Sequence, residues 1–312
     1  MQKDRSSKMN IVILGAGAIG SLFGALLSEQ NKVVLIGRTL HIKAIQKKGL
    51  TINGKTKLNV KISAEDTIDK VTLIPDLLIL TVKAYDTELA INQAKHIIID
   101  STTVLSLQNG LDNIDKIKKI IHHKKIIAGI TTHGALFSKP GVIRHTGFGE
   151  TILGELNGKK SKRICDIADK FNEADIETKV SSDITKEIWI KGIVNSSINP
   201  LTSFFRCKNG YLLENPILEN ILASICREST NIARSKGINL SDKSMIQKTK
   251  DVIRDTSDNY SSMLQSIRKG KKTEIDSING KLVNIGKKHG VDTKLNEILV
   301  YLVSSISEHQ QI

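Results

Sequence analysis

The first half of the chain alternates short apolar runs with longer segments of helical periodicity. The four apolar runs are residues 11–14, 32–36, 77–82 and 103–107. Short, mostly apolar runs of this length are typical of strands buried on both faces, and segments of helical pattern such as 18–29 and 87–98 lie between them. Strands that alternate with helices predict a doubly wound parallel sheet with right-handed crossovers.

From residue 126 the pattern changes to closely spaced strand-like segments. They cover residues 126–137, 142–145 and 151–153. Between the first two, Pro140 and Gly141 stand at the centre of a type II turn. We therefore expect an antiparallel extension on the edge of the sheet, followed by a helix over 161–172 and a last strand over 177–180.

Strand signals stop near residue 182, and only helical patterns continue to the end of the chain. The longest are residues 216–236, 244–264 and 275–289. We predict two domains, an α/β domain over 9–182 and an all-α domain over 183–312. Residues 1–8 are polar and are expected to form a disordered extension before Met9.

The composition narrows the class of partner. Lysine and arginine outnumber aspartate and glutamate by 46 to 32, which gives a net charge of +14, but the cations are spread along the chain and aromatic residues make up only 4%. A lysine-rich solvated surface that attracts an anionic cofactor and substrate explains this better than a nucleic-acid partner, which would favour aromatic residues for base stacking. The apolar run from 11 to 27 contains four glycines. It is shorter than the ~20 residues that cross a bilayer, so no membrane partner is expected.

The cysteines argue against a covalent or metal-stabilised framework. Cys165, Cys207 and Cys226 are widely spaced, and no CxxC pair occurs. Neither a disulfide framework nor a metal site is predicted, and a reducing cytoplasm is the expected location. The oligomeric state is left open, with a homodimer among the alternatives.

A glycine-rich hexamer follows the first apolar run and opens a helical pattern. It reads Gly15-Ala16-Gly17-Ala18-Ile19-Gly20, which is GxGxxG between a strand and a helix. Gly15 permits a tight turn, Gly17 allows the backbone to approach a pyrophosphate, and Gly20 allows the helix to pack on the strand. The free N–H groups at Ala18 and Ile19 then face the phosphates. We predict a Rossmann-type dinucleotide-binding domain, and a glycine turn without a ligand is the alternative.

The end of the second predicted strand indicates which dinucleotide binds. An acidic residue at this point accepts a hydrogen bond from the ribose 2′-hydroxyl of NAD. The sequence here is Ile36-Gly37-Arg38-Thr39, without an acid. A guanidinium can pair bidentately with a 2′-phosphate, so Arg38 favours NADP(H), while an exposed surface arginine is the alternative.

The second half carries a polar stripe on an otherwise apolar helical segment. Lys191, Asn195 and Asn199 recur every four residues and therefore share one helical face. Hydride transfer to a ketone leaves an alkoxide that needs a proton donor, and an amine among apolar neighbours can supply that proton. A solvated stripe on an amphipathic helix is the alternative.

The residues around this stripe resemble a known family. Residues 187–203, EIWIKGIVNSSINPLTS, are similar to the signature of the ketopantoate reductases, also called 2-dehydropantoate 2-reductases. Further segments resemble the family in the same order, at 81–85, 107–111, 129–133 and 261–280. The resemblance implies NADPH-dependent reduction of ketopantoate to (R)-pantoate, a step in pantothenate and coenzyme A biosynthesis.

The resemblance also implies a role for each candidate site residue. Lys191 would be the general acid, and Glu274 would hydrogen-bond the substrate hydroxyl and hold Lys191. The substrate-binding residues implied are Asn109, Asn195, Asn199 and Ser262. The implied cofactor contacts beyond the glycine turn and Arg38 are Lys83, Asn109 and Glu274.

Two residues are open to more than one interpretation. Gly192 follows Lys191 where the family commonly has a larger apolar residue. Glycine within a helix costs about 1 kcal/mol relative to alanine, so Gly192 either loosens the helix at the proton donor or allows close packing. His133 invites a catalytic role, but we favour a packed or cofactor-adjacent position.

Two other functions remain compatible with the sequence. The same fold could reduce another small 2-keto acid, since pocket contacts decide the substrate. A non-catalytic NADP(H)-binding redox sensor is the second alternative, and it would not need the amine of Lys191.

Overall fold

The computed structural model describes residues 8–309 and divides them into two compact units. Unit 1 contains the chain up to Gln108 together with Asn113–Ile184, and unit 2 contains Asn109–Asp112 and the chain from Thr185. Most of the predicted N-terminal extension, residues 1–7, lies outside the described residues. The domain boundary after residue 182 stays a prediction.

Unit 1 is built on an eight-stranded sheet with a second sheet beside it. The strands are β1 Asn10–Leu14, β2 Lys32–Ile36, β3 Leu50–Gly54, β4 Leu58–Val60, β5 Ser63–Glu65, β6 Leu77–Leu80, β7 Thr103–Ser106, β8 Ile126–Thr131, β9 Gly134–Lys139, β10 Val142–Gly147, β11 Thr151–Glu155 and β12 Thr178–Val180. The large sheet has the order β12-β11-β8-β7-β6-β1-β2-β5, and every neighbouring pair except β8–β11 is parallel. The predicted parallel sheet is confirmed.

Five helices cover this sheet. They are α1 Ala18–Leu27, α2 Thr39–Lys48, α3 Thr87–Ala94, α4 Asn113–Lys118 and α5 Lys162–Glu173. The side chains of β1 alternate between the two sides of the sheet, as expected for a strand buried on both faces. Ile11 and Ile13 belong to the core that contains Phe23 of α1, whereas Val12 and Leu14 belong to the core on the other face.

The predicted antiparallel extension is correct in one part and wrong in another. β11 does pair antiparallel with β8 at the edge of the large sheet. Residues 126–137, expected as one strand, are two strands in different sheets, because β8 is fully buried between β7 and β11 while β9 pairs with β10. β10 joins β3 in a four-stranded sheet of order β4-β3-β10-β9. The φ of +79° at Gly141 agrees with the type II turn.

Unit 2 is helical, as predicted. Its helices are α6 Ile184–Phe205, whose first residue belongs to unit 1, α7 Tyr211–Glu214, α8 Pro216–Ser235, α9 Asp242–Asp255, α10 Ser262–Arg268, α11 Lys281–Lys288 and α12 Lys294–His309, with a π-helical turn at Asp276–Gly280. The single helix expected over 244–264 is wrong. It is interrupted because Ser261 caps a new helix, its Oγ accepting a hydrogen bond from Leu264 N at 3.2 Å.

Within the part of the chain that the structure describes, no helix is both long enough and apolar enough to cross a membrane.

Candidate functional site

The glycine turn joins β1 to α1 in unit 1, and its three glycines have different surroundings. Gly15 has a φ of +112°, and a methyl group added there would lie 2.5 Å from Val82 N. At Gly20 an added methyl group would collide with the Gly15 carbonyl and the Thr81 hydroxyl. At Gly17 it would meet only the Gly15 carbonyl, at 3.9 Å. The fold itself therefore requires glycine at positions 15 and 20 but leaves room at 17.

The start of α1 has the properties of an anion-binding helix terminus. The N-cap is Gly17, which has no side chain to accept a hydrogen bond, and the first turn contains no acidic residue. The first N–H groups of a helix, here those of Ala18, Ile19 and Gly20, have no partner within the helix. Together with the space above Gly17, these groups fit the pyrophosphate of a dinucleotide.

The carboxyl ends of the neighbouring strands surround this turn. The Thr81 hydroxyl, just after β6, donates to the Gly15 carbonyl at 2.8 Å. Gln108, just after β7, donates from Nε2 to the Val82 carbonyl at 2.9 Å. Lys83 follows Val82 in the chain and is half-buried. In a doubly wound sheet ligands bind at this edge, so Lys83 lies near the turn on the expected side.

The end of β2 carries both a cation and an acid. Arg38 is exposed and caps α2. The sequence shows no acid here, but the parallel pairing of β2 with β5 brings Asp66 close, and its carboxylate accepts a hydrogen bond from the Thr39 hydroxyl at 3.4 Å. The Lys70 ammonium binds the same carboxylate at 2.7 Å and lowers the pKa of Asp66. The structure thus brings an acid, Asp66 after the neighbouring strand β5, close to a position where the local sequence has none. Its carboxylate is already paired with the Lys70 ammonium.

The polar stripe of unit 2 lies on α6 among buried apolar residues. Asn199 is buried, and Lys191 and Asn195 are half-buried. Ile193 and Ile198, which alternate with them along the helix, are buried in the helical core. The stripe is therefore not a fully solvated face, and burial of its amine and amides is costly unless polar partners satisfy them.

Lys191 has an unusual acidity. Desolvation of its ammonium lowers the pKa to about 8 from 10.5, and the negative charge of Glu274 partly opposes this change. Glu274 is itself buried, with 7% of its surface exposed. The charge of Glu274 therefore acts on the Lys191 ammonium, and the lowered pKa brings proton release from this amine closer to neutral pH.

The remaining candidates of unit 2 occupy two other segments. Ser262 is exposed at the first position of α10, next to Ser261, whose Oγ accepts a hydrogen bond from Thr202 Oγ1 of α6 at 2.7 Å. Asn109 is half-buried and begins the segment Asn109–Asp112, which belongs to unit 2 although it follows a strand of unit 1. The sequence gives no sign of this assignment, because it depends on packing between residues far apart along the chain.

Gly192 is explained by this same segment. A methyl group at Gly192 would lie 2.6 Å from Leu111 Cδ2, and the Leu111 N–H donates to the Ser277 carbonyl at 2.9 Å. Of the two interpretations of Gly192, close packing is therefore the one the structure supports. The glycine lets Leu111 lie directly against α6 beside Lys191.

His133 occupies a packed position in unit 1. It is buried, its ring makes an edge contact with Phe23, and its Nδ1 lies 3.3 Å from His145 Nε2. Burial and the neighbouring imidazole lower the pKa of His133 to about 4, so the ring is neutral at physiological pH. These contacts support packing within the core of unit 1.

Two family models match this chain in the order of its two units. Residues 11–158 match the ketopantoate reductase PanE/ApbA model, and residues 183–307 match the ketopantoate reductase PanE/ApbA C-terminal model. The matches span most of the chain and contain the glycine turn, the α6 stripe and Glu274.

Proteins of known name and known structure resemble the chain over nearly its full length. The chain is 45% identical to the 2-dehydropantoate 2-reductase of Pyrococcus abyssi, over 95% of this chain and 97% of the other, and 33% identical to that of Archaeoglobus fulgidus, over 95% and 97%. A PanE/ApbA family ketopantoate reductase from Ralstonia eutropha has a TM-score of 0.89 at 28% identity, covering 97% of this chain and 100% of the other. D-mandelate dehydrogenase with NADH and anilino(oxo)acetate has a TM-score of 0.92 at 29% identity, with the same coverage. The chain belongs to the ketopantoate reductase PanE/ApbA family.

Proposed function

We propose that this protein reduces ketopantoate to (R)-pantoate with NADPH, as a step of pantothenate and coenzyme A biosynthesis. The observation that carries the proposal is the half-buried Lys191 amine on α6, whose pKa is lowered to about 8 by desolvation and is partly raised again by the charge of Glu274. Family membership supports an oxidoreductase that uses a nicotinamide, and the preference for NADP(H) and the exact substrate are our inference.

The glycine turn of unit 1 would hold the dinucleotide. The backbone at Gly15 and Gly17, with the N–H groups of Ala18, Ile19 and Gly20, would bind the pyrophosphate. Lys83 would neutralise phosphate charge, and Asn109 and Glu274 would contact the nicotinamide side. The bound cofactor supplies the hydride, and the protein positions it and controls the proton.

Lys191 would donate the proton that completes the reduction. As hydride reaches the keto carbon, negative charge develops on the carbonyl oxygen, and an ammonium beside that oxygen stabilises the charge and then protonates it. A pKa near 8 leaves most Lys191 protonated at pH 7 while making transfer easier than from an ordinary lysine. Asn195, Asn199 and Ser262 would orient the keto acid through hydrogen bonds.

The hydroxyl group of ketopantoate allows the substrate assignment to be tested with an analogue that lacks it. Ketopantoate carries a hydroxyl that Glu274 would bind, whereas 2-ketoisovalerate has none. A site with a buried polar group for a hydroxyl discriminates against an analogue lacking it by about 10⁴-fold in kcat/KM. NADPH oxidation measured with both acids should show this preference, and equal turnover would contradict the assignment.

A second candidate, reduction of another 2-keto acid with NADH, is favoured by one observation. The D-mandelate dehydrogenase that resembles this chain was solved with NADH and anilino(oxo)acetate. The same assay repeated with phenylglyoxylate as substrate and NADH as cofactor distinguishes the two. Preference for the aromatic acid over ketopantoate would favour this candidate.

The cofactor preference can be tested at the end of β2. Arg38→Ala should raise the KM for NADPH at least ~10-fold more than that for NADH, because a charged hydrogen bond to the 2′-phosphate contributes roughly 1.5–3 kcal/mol. Asp66→Asn is the matched variant, and it should raise the KM for NADH if the Asp66 carboxylate binds the ribose. An equal rise in the KM for NADPH and for NADH in Arg38→Ala would show that Arg38 does not recognise the 2′-phosphate.

A further inference from the structure

The helix that carries Lys191 contains a proline where a regular hydrogen bond belongs. Pro200 lies inside α6, one residue after Asn199. Proline has no N–H, so it cannot donate to the carbonyl four residues earlier, which is that of Ser196. Ser196 is completely buried, and a buried carbonyl needs another donor.

Asn279 supplies that donor from the π-helical turn Asp276–Gly280. Its Nδ2 donates to the Ser196 carbonyl at 3.0 Å, across 83 residues of sequence. The same nitrogen donates to Asn296 Oδ1 at 2.9 Å, so both protons of the amide are used. Asn279 is completely buried, and its Oδ1 has no hydrogen-bond partner among residues 8–309. The side chain is therefore held by donation alone.

Residues of α12 and α8 hold the side chain of Asn279 in place through a series of hydrogen bonds. Asn296 donates from Nδ2 to Glu228 Oε1 at 2.8 Å, and the Asn296 backbone N–H reaches the same oxygen at 2.8 Å. The Leu295 N–H donates to Glu228 Oε2 at 2.9 Å. Glu228 thus binds the first turn of α12, and the hydrogen-bonded series runs from α8 through α12 to the π-helical turn and on to α6.

The same turn connects two further segments that carry site residues. The Glu274 carbonyl accepts the N–H groups of Ser277 at 3.1 Å and Ile278 at 3.2 Å, so the turn begins at Glu274 itself. The Ser277 carbonyl in turn accepts the Leu111 N–H, which holds the segment that begins with Asn109. Interruptions of helical geometry of this kind are frequent at functional sites.

We infer that Asn279 is a positioning residue. It donates to the Ser196 carbonyl, which Pro200 leaves without a helical donor, and thereby fixes α6, with Lys191 and Asn195, against the segment that contains Glu274. An ordinary residue at position 200 would satisfy the Ser196 carbonyl within α6 and leave the two segments without this link. The role attributed to the aligned groups rests on the proposed function, whereas the link between Asn279 and Pro200 does not.

The first experiment replaces the amide by an apolar group of similar size. Asn279→Leu should lower kcat for ketopantoate about tenfold, because a small misplacement of reacting groups is costly, while the Kd for NADPH changes less than about twofold. The alkaline decline of kcat, which follows Lys191, should move to higher pH as the amine becomes more hydrated. Asn31→Leu is the matched control, since Asn31 is a buried amide of unit 1 that donates from Nδ2 to the Leu27 carbonyl at 3.0 Å. It should leave kcat and the pH profile unchanged.

The second experiment tests the link itself. Pro200→Ala restores a backbone N–H at position 200, so the Ser196 carbonyl no longer depends on Asn279. Urea unfolding and kcat should both show that Asn279→Ala has a much smaller effect in the Pro200→Ala background, with the loss of kcat reduced to within about twofold. Additive effects in both measurements would overturn the inference.

The outcomes separate this inference from the proposed function. If the unaltered protein does not reduce ketopantoate, the proposed function fails, yet the unfolding cycle of Asn279 and Pro200 still tests the link. If the unaltered protein is active and Asn279→Leu folds with an unchanged kcat and pH profile, the positioning role is wrong. If Asn279→Leu does not fold, Asn279→Ala, which removes the donor without adding bulk, takes its place under the same criteria.

Discussion

The pH dependence of turnover gives the most direct test of Lys191 as proton donor. Desolvation lowers its pKa from 10.5 to about 8. A general acid works only while protonated, so kcat should be constant below pH 7 and decline above pH 8. At pH 9 roughly one-tenth of such an amine is protonated, and kcat should be ~10-fold below its plateau, whereas a lysine with an ordinary pKa would lose only a few per cent.

The assay follows NADPH oxidation by the loss of absorbance of the reduced nicotinamide, with saturating ketopantoate. Two variants separate Lys191 from other titrating groups. Lys191→Arg should lose the alkaline decline along with most of the activity, because a guanidinium stays charged throughout this range. Lys186→Met removes the other lysine of α6 and should keep the decline.

The charge of Glu274 allows a second test of the Lys191 pKa, through the direction in which it shifts. Its charge raises the pKa of Lys191 against the effect of burial. Glu274→Gln should therefore move the alkaline decline to lower pH in whatever activity remains. A kcat that stays constant to pH 10 in the unaltered protein, or a decline that Glu274→Gln moves upward, would refute the reasoning.

Three further predictions concern the Lys191 amine, the contact at Gly192 and the His133 imidazole. Lys191→Met should lower kcat by about 10²–10⁴-fold and leave the Kd for NADPH nearly unchanged by fluorescence titration, and full turnover would exclude Lys191 as the acid. Gly192→Val should collide with Leu111 and reduce kcat more than the Kd for NADPH, with Gly192→Ala intermediate; equal activity of both would show that the contact does not matter. His133 is neutral when folded, with a pKa of about 4 against 6.5, so the unfolded chain binds more protons between these values. His133 alone should therefore lower the free energy of unfolding by about 3 kcal/mol as pH drops from 7 to 4. Urea unfolding of His133→Gln should show a correspondingly smaller loss.

Much of unit 1 and part of the site could be predicted from local sequence. Strands inside a parallel sheet are mostly apolar, so the sequence pattern predicts β1, β2, β6 and β7. The strands β3, β4 and β5 were not found, because they are short and partly polar and gain their stability from pairing with distant strands. The division of residues 126–137 between two sheets has the same cause.

The sequence by itself indicated which residues are candidates for the chemistry. The spacing of the glycines between a strand and a helix, and the four-residue spacing of Lys191, Asn195 and Asn199, follow from the geometry of single elements. Such periodicities depend only on neighbours along the chain, so they can be interpreted before the fold is known.

Only the tertiary structure decided what surrounds those residues. It brought Asp66 to the end of β2, placed Leu111 against Gly192, and linked Asn279 to the carbonyl freed by Pro200. It also lowered the pKa of Lys191, because desolvation is the summed effect of groups far apart in sequence. Burial, charge coupling and the satisfaction of a buried carbonyl depend on distances in space, and local sequence carries no information about them.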